Sequence, residues 1–320
     1  MKTRIIAALV LLMTCSASYA GGWTPADPEA TPQAKALFER LMKLQKKGTM
    51  YGHQDDLLTG RTWINEKGRS DTKEAVGDYP AVAGFELGEL ELGYSKSLDG
   101  NAFSDISERI RWFHEQGGII TISWHVVNPV SSQWPGVKEP NGAGSAWDVS
   151  MLSADGINAV RNVLPGGEDH AMFNSWLKRL SMFFHTLRDK DGHHSILYAY
   201  NTDKVYSEEE YLRGYPGDEY IDMLSIDWYG RGEEFNRNVD KALEFTTRLA
   251  QQKKKLHALS ECGPLSTDLL DILSKYESSY VLTWRHIPPP GNRPPRKTDH
   301  DDLLRTMKAG ERYLFFEDIR

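Results

Sequence analysis

Leu256-His257-Ala258-Leu259-Ser260-Glu261-Cys262-Gly263 is an apolar run of strand length that ends on a carboxylate and a glycine. Six further runs follow the same plan. Met50 to Gly52 leads into His53-Gln54-Asp55-Asp56, and Ala81 to Phe85 leads into Glu86, Glu89 and Glu91. Ile119 to Ser123 leads into Trp124-His125 and then Asn128-Pro129. Ser195 to Tyr200 leads into Asn201 and Asp203. Met223 to Ile226 leads into Asp227-Trp228-Tyr229, and Tyr280 to Thr283 leads into Trp284-Arg285-His286. Helical patterns lie between them: Ala34 to Gln45, Ile106 to Glu115, Phe173 to Leu187 and Asn238 to Lys253. Short apolar runs alternating with amphipathic helices predict an α/β fold with a parallel sheet buried on both faces. In a (β/α)8 barrel, the site is built where the strands end. Seven strand ends loaded with His, Asp, Glu and Trp read as one such face. Asp55, Glu89 and Asp203 taken singly read equally well as loop starts. The Trp residues do not, because a large ring left in water without a partner is costly.

Composition narrows the function. The 320 residues are 40% hydrophobic and 26% charged, which excludes disorder and a multi-span membrane protein. The net charge is −7, and no basic block stands out beyond Lys253-Lys254-Lys255, so no nucleic-acid partner is expected. No linker, repeat or low-complexity tract divides the chain. The one Pro-rich stretch, Pro288-Pro289-Pro290 with Pro294-Pro295, reads as a loop.

The first twenty residues read as a signal peptide: Lys2 and Arg4, an apolar stretch from Ile5 to Met13, and Ser18-Tyr19-Ala20 as the cleavage site. Export by secretion or to a periplasm follows, with lipid anchoring through Cys15 as the alternative. Residues 21–320 then form a single domain, expected as a monomer. Their one cysteine, Cys262, excludes an intrachain disulfide.

A carboxylate at a strand end beside aromatic rings suits glycoside cleavage. The oxocarbenium-like transition state needs a carboxylate at the anomeric carbon and an acid at the leaving oxygen. Trp and Tyr rings can stack on the C–H faces of pyranoses, and nine Trp are available. Glu261 is the candidate nucleophile; the tripeptide alone also fits a surface Glu in a turn.

Taken in order, Tyr51-Gly52-His53-Gln54-Asp55-Asp56, Trp124-His125-x-x-Asn128-Pro129, Tyr215-Pro216-Gly217-Asp218-x-Tyr220, Asp227-x-Tyr229, Ser260-Glu261-x-Gly263 and Trp284-Arg285 resemble glycoside hydrolase family 26, from about Leu37 to the C-terminus. The resemblance implies a retaining (β/α)8 enzyme acting on β-1,4-mannan, galactomannan or glucomannan, with Glu261 as nucleophile. The expected substrate-binding set is His53, Trp124, His125, Asn128, Tyr229, Trp284 and Arg285. No metal or cofactor is implied, and His193-His194 lack any ligand spacing.

One part of that pattern is missing. The family places a fourth strand, ending in Arg-Pro-x-His-Glu, before the strand at Ser195, and that Glu is the general acid/base. The only His-Glu pair in this chain is His114-Glu115, inside an earlier helix. Phe173 to Leu187 carries helical periodicity alone, so the fourth strand and most of its helix read as deleted near Phe184–Thr186. Three functions follow as alternatives: a secreted β-mannan hydrolase, active or formerly active, a non-catalytic glycan-binding protein, or a truncated product that folds poorly.

Overall fold

The computed structural model describes residues 22–90, 93–125, 186–285 and 299–320. Helix α1 (Pro32–Lys47) leads into β1 (Thr49–Gln54), α2 (Asp71–Val76), β2 (Val82–Glu86), α3 (Phe103–Glu115) and β3 (Ile119–Ser123). The chain continues through β4 (Ala199–Thr202), α4 (Glu208–Leu212), β5 (Met223–Trp228), α5 (Gly232–Lys253), β6 (Leu256–Cys262), α6 (Thr267–Leu273), β7 (Tyr280–Thr283), α7 (Asp299–Ala309) and β8 (Tyr313–Leu314).

The strands form one parallel sheet in the order β3-β2-β1-β7-β6-β5-β4, with β8 beside β1. Because β7 pairs directly with β1, the sheet curls round as a (β/α)8-type wall. Among the described residues nothing pairs β3 with β4. The stretch from Phe173 to His185, on which the expected deletion rests, lies outside the described residues, as do residues 1–21 and the Pro-rich loop.

Strands β1, β2, β5 and β7 are buried along their whole length, whereas β3, at the end of the sheet, is only partly covered. The first residues of the strands (Val82, Ile119, Met223, Leu256 and Tyr280, with Met50) form one cluster with Phe38, Leu41 and Leu44 of α1. Helix α1 therefore covers the end of the barrel at which the strands begin. It starts where Thr31 Oγ1 accepts from Ala34 N at 3.2 Å, and its buried residues Ala34, Phe38, Leu41 and Leu44 recur at helical spacing. The outward residues Leu224, Ile226, Leu259 and Val281 pack with α5, α6 and α7, while Ala83 and Phe85 pack with Ile106 and Phe113 of α3.

Two features differ from the sequence reading. The run expected from Ser195 starts pairing only at Ala199, because Tyr198 N donates to the Asp222 carboxylate at 2.8 Å. Strand β8 was not expected, since two residues are too few for periodicity to register. It pairs with Thr49 and Met50 at the start of β1 and takes no part in the interval between β3 and β4.

Phe38 is fully buried in the cluster that closes the barrel end. Phe38→Ala is expected to destabilise the protein by about 3–5 kcal/mol, read by denaturant unfolding. A loss under about 1 kcal/mol would mean that α1 does not seal the core.

Candidate active site

Side chains alternate along each strand, so residues two apart share a face. The inward positions at the strand ends are Gln54, Ser123, Asn201, Ser225 and Asp227. With Trp124, His125, Ser260, Glu261 and Trp284 they line a single cleft at the end opposite α1.

Glu261 reaches that cleft through an irregularity in β6. Ile226 of β5 pairs with Leu259, yet the next residue, Asp227, pairs with Glu261. On the other side Leu259 pairs with Val281, and Cys262 with Thr283. Ser260 is thus one residue more than either neighbouring strand matches, a β-bulge. Strict alternation from Ala258 would send Ser260 inward and Glu261 towards the helices. The bulge brings both to the cleft.

Tyr229 Oη donates to Glu261 Oε1 at 2.5 Å. Burial lifts the Glu261 carboxyl to about 7; Glu86 and Asp203 add to the rise, and the His125 charge and the Tyr229 hydroxyl oppose it. Burial, then the Glu261 charge, push the Tyr229 phenol well above its ordinary value, so it remains a donor. Beside them Asn201 Nδ2 donates to Asp227 Oδ2 at 2.7 Å, and Ser260 Oγ lies 3.0 Å from Asp227 Oδ1. Burial and the neighbouring Glu261 raise Asp227 well above the usual carboxylate range.

On the opposite wall a fully buried Glu86 binds His125. Glu86 Oε2 lies 2.7 Å from His125 Nδ1 and accepts from Ser123 Oγ at 2.5 Å. Glu86 Oε1 accepts from His125 N at 2.8 Å and Gly88 N at 2.6 Å. A Cβ on Gly88 would stand 2.2 Å from the Leu98 side chain and 2.7 Å from His125 O, so only glycine brings that N–H to the carboxylate. Burial opposes ionisation of Glu86, but the His125 charge and these donors outweigh it and hold the carboxyl below its usual range. Burial likewise opposes charging His125; the Glu86 carboxylate, helped by Glu261 and Asp227, lifts it to about 9. The site therefore holds an imidazolium at neutral pH. Its ring meets Trp284 edge-on, with centroids 5.6 Å apart.

The other expected binding residues are distributed unevenly. Trp124 lines the cleft. Arg285 follows Trp284 and forms an ion pair with Asp99, Nε to Oδ1 2.7 Å. Asn128 lies outside the described residues. His53 is placed elsewhere: it is buried on the helix-facing side of β1, with Nδ1 2.9 Å from Asp56 Oδ1 and 3.3 Å from Thr72 Oγ1. Asp56 itself accepts from Asp71 N at 2.9 Å and from Ser70 Oγ, so His53 helps to fix the start of α2 and does not line the cleft. Asn201 and Ser260 were missed. Counting two residues at a time along β4 and β6 would have put both on the inner face. Among the described residues no cluster of His, Cys, Asp or Glu is placed to hold a metal ion, and no helix is long and apolar enough to cross a membrane.

In Glu86→Gln, burial acts on the His125 ring without its main counter-charge. Its titration, followed by NMR of the imidazole, is expected to fall by roughly 1–3 pH units. A ring that still titrates near 9 would assign the rise to another group.

Comparison with known proteins agrees with this geometry. The family model for glycosyl hydrolase family 26 matches residues 26–148 and 166–293. A mannan endo-1,4-β-mannosidase of Bifidobacterium adolescentis is 26% identical over 288 residues; the match takes in 78% of this chain but 28% of that much longer protein. A family 26 β-mannanase from Bacteroides ovatus superposes with a TM-score of 0.70 at 29% identity, covering 90% of this chain and 96% of its own. The catalytic domain of a Bacillus endo-β-1,4-mannanase shares the fold, with a TM-score of 0.68 at 22% identity, over 92% of this chain and 94% of its own. With the family match running through both halves of the curled sheet and into all the strands that carry the cleft, this chain belongs to glycosyl hydrolase family 26.

Proposed function

We propose that the chain is a secreted retaining glycosidase for β-1,4-mannan, including galactomannan and glucomannan, and that its turnover is impaired. The observation that carries this reading is Glu261: a partly buried carboxyl turned into the cleft by the Ser260 bulge and gripped at Oε1 by the Tyr229 hydroxyl. With Oε1 held, Oε2 is the oxygen that attacks the anomeric carbon. The C1–O bond to the leaving sugar breaks as the bond to Glu261 forms. His125, Trp124, Trp284 and Arg285 bind the reacting sugar, with the Trp284 ring held edge-on by His125. Residues 1–20 serve export, and residues 21–320 act as one catalytic unit.

Impairment follows from the absence of a His-Glu pair after residue 115. Losing leaving-group protonation typically costs 10²–10⁴-fold. Glu86 does not replace it, because four donors and the His125 charge keep it ionised. The same absence favours a second reading, a glycan-binding protein that keeps the sugar subsite without hydrolysis.

The decisive assay compares mannan with an aryl mannoside whose leaving group needs no proton. Slow or undetectable release from mannan is expected, with faster cleavage of the aryl mannoside. Azide should accelerate turnover by taking the sugar from Glu261 as a mannosyl azide, since that step needs no base. Glu261→Gln should abolish both reactions while leaving the unfolding curve intact. Ordinary rates on mannan would mean that another residue supplies the acid, and retention of mannan on an affinity gel with no cleavage of either substrate would support the binding protein.

The pH dependence carries a sign. Only ionised Glu261 attacks, and its carboxyl titrates at about 7. Aryl mannoside cleavage should therefore rise as pH climbs through about 7 and level off above it. A plateau reaching down to pH 5 would assign the nucleophile to a less buried carboxylate.

A further inference from the structure

Behind Arg285 two buried carboxyls meet. Asp55 follows β1 with φ 53°, a left-handed conformation that aspartate tolerates better than most residues. Its N–H donates to Gly84 O at 2.9 Å, and the side chain is sealed from solvent. Asp99 and Asn101 sit on one tight turn after β2, closed by Ser97 N to Asn101 O and Gly100 N to Ser97 O, both 2.8 Å. Thr59 Oγ1 donates to Asn101 Oδ1 at 2.8 Å, which fixes the amide so that Nδ2 donates to Asp55 Oδ2 at 2.9 Å. Asp99 Oδ1 faces Arg285 Nε at 2.7 Å.

That leaves Asp55 Oδ1 and Asp99 Oδ2, both buried, with no hydrogen-bond donor from another residue among the described ones. The two carboxyls are close enough to act on each other's ionisation. Two ionised carboxylates buried side by side repel each other and leave both of these oxygens without a donor; one retained proton relieves both costs. Charge counting agrees. The charged groups facing the pair among the described residues are Arg285, Glu86 and His125. Glu86 is matched by His125, so one guanidinium remains for two aspartates. Burial raises the Asp99 carboxyl as well, but the guanidinium in contact with it opposes that rise and makes Asp99 the better site for the negative charge.

We propose that Asp55 holds a proton and donates it to Asp99, so that the pair presents one negative charge to Arg285, making Asp55 a positioning residue for that side chain. The proton then ties together the end of β1, the turn that carries Asp99, and the end of β7. Burial, and next the Asp99 charge, favour the protonated form of Asp55.

Two measurements test this, and neither uses a sugar, so failure here is separate from failure of the mannan reading. The first is equilibrium unfolding between about pH 5 and 8. A proton bound in the folded state but not in the unfolded one lowers the folding constant about tenfold for each pH unit gained. Asp55→Asn keeps a donor towards Asp99 without needing the proton, so its folding constant relative to wild type should climb by about that factor per unit. Asp99→Asn, which leaves Arg285 a single carboxylate, should show the same trend. Parallel curves for wild type and whichever amide variant folds would overturn the shared proton. The second is the NMR signal of the Arg285 Nε–H. Asp55→Asn should leave its shift and exchange rate as in wild type, whereas Asp55→Ala should move the shift and speed the exchange. An Arg285 signal unmoved in Asp55→Ala would remove the positioning role.

Discussion

A β-strand sends successive side chains to opposite faces, and in a parallel barrel both faces are already committed: one to the interior, one to the helices. Strand β6 breaks this alternation once, at Ser260. Everything at the cleft depends on that extra residue. It brings Ser260 and Glu261 to the same side, places Ser260 Oγ against Asp227 and Asn201, and sets Glu261 within reach of the Tyr229 hydroxyl. The neighbouring strands hold the bulge in place. Regular pairing resumes at Cys262, whose side chain is fully buried.

Glu86 and Asp227 are buried deeply enough that their charges must be matched locally. Glu86 and His125 meet this by pairing, each holding the other charged. Glu261 and Asp227 are adjacent carboxyls on paired strands, and burial with their mutual charge raises Asp227 while Glu261 settles near 7. The imidazolium on the opposite wall limits that rise. The resulting arrangement has one cation acting on two carboxyls.

Stability and chemistry occupy opposite ends of the sheet. At the strand starts, Met50, Val82, Leu256 and Tyr280 pack on α1 and contribute only apolar contact. At the strand ends, the same inward positions carry Gln54, Glu86, Asn201 and Asp227. Each strand therefore changes from core to site within about two residue pairs, and substitutions at the two ends should have different consequences.

Much of this was legible without coordinates. Apolar runs of strand length alternating with helical periodicity determine a parallel sheet wrapped by helices, because both strand faces must be buried. Polar and aromatic residues gathered at the run ends determine which end carries the site. Periodicity missed β8, whose two residues hold no pattern, and displaced β4, whose start depends on a contact from Asp222, the residue just before β5. The linear order also grouped His53 with the site, although alternation along β1 turns it to the helices, where Asp56 holds it. Only the tertiary structure decides the direction of Glu261: a one-residue bulge is visible solely as a mismatch with partners 33 to 22 residues away along the chain, Ile226 and Val281 flanking Leu259. The ionisation of Glu86, His125 and Asp55 is decided there as well, since burial and the charge of a neighbour on another strand set it, and neither is a property of the local sequence.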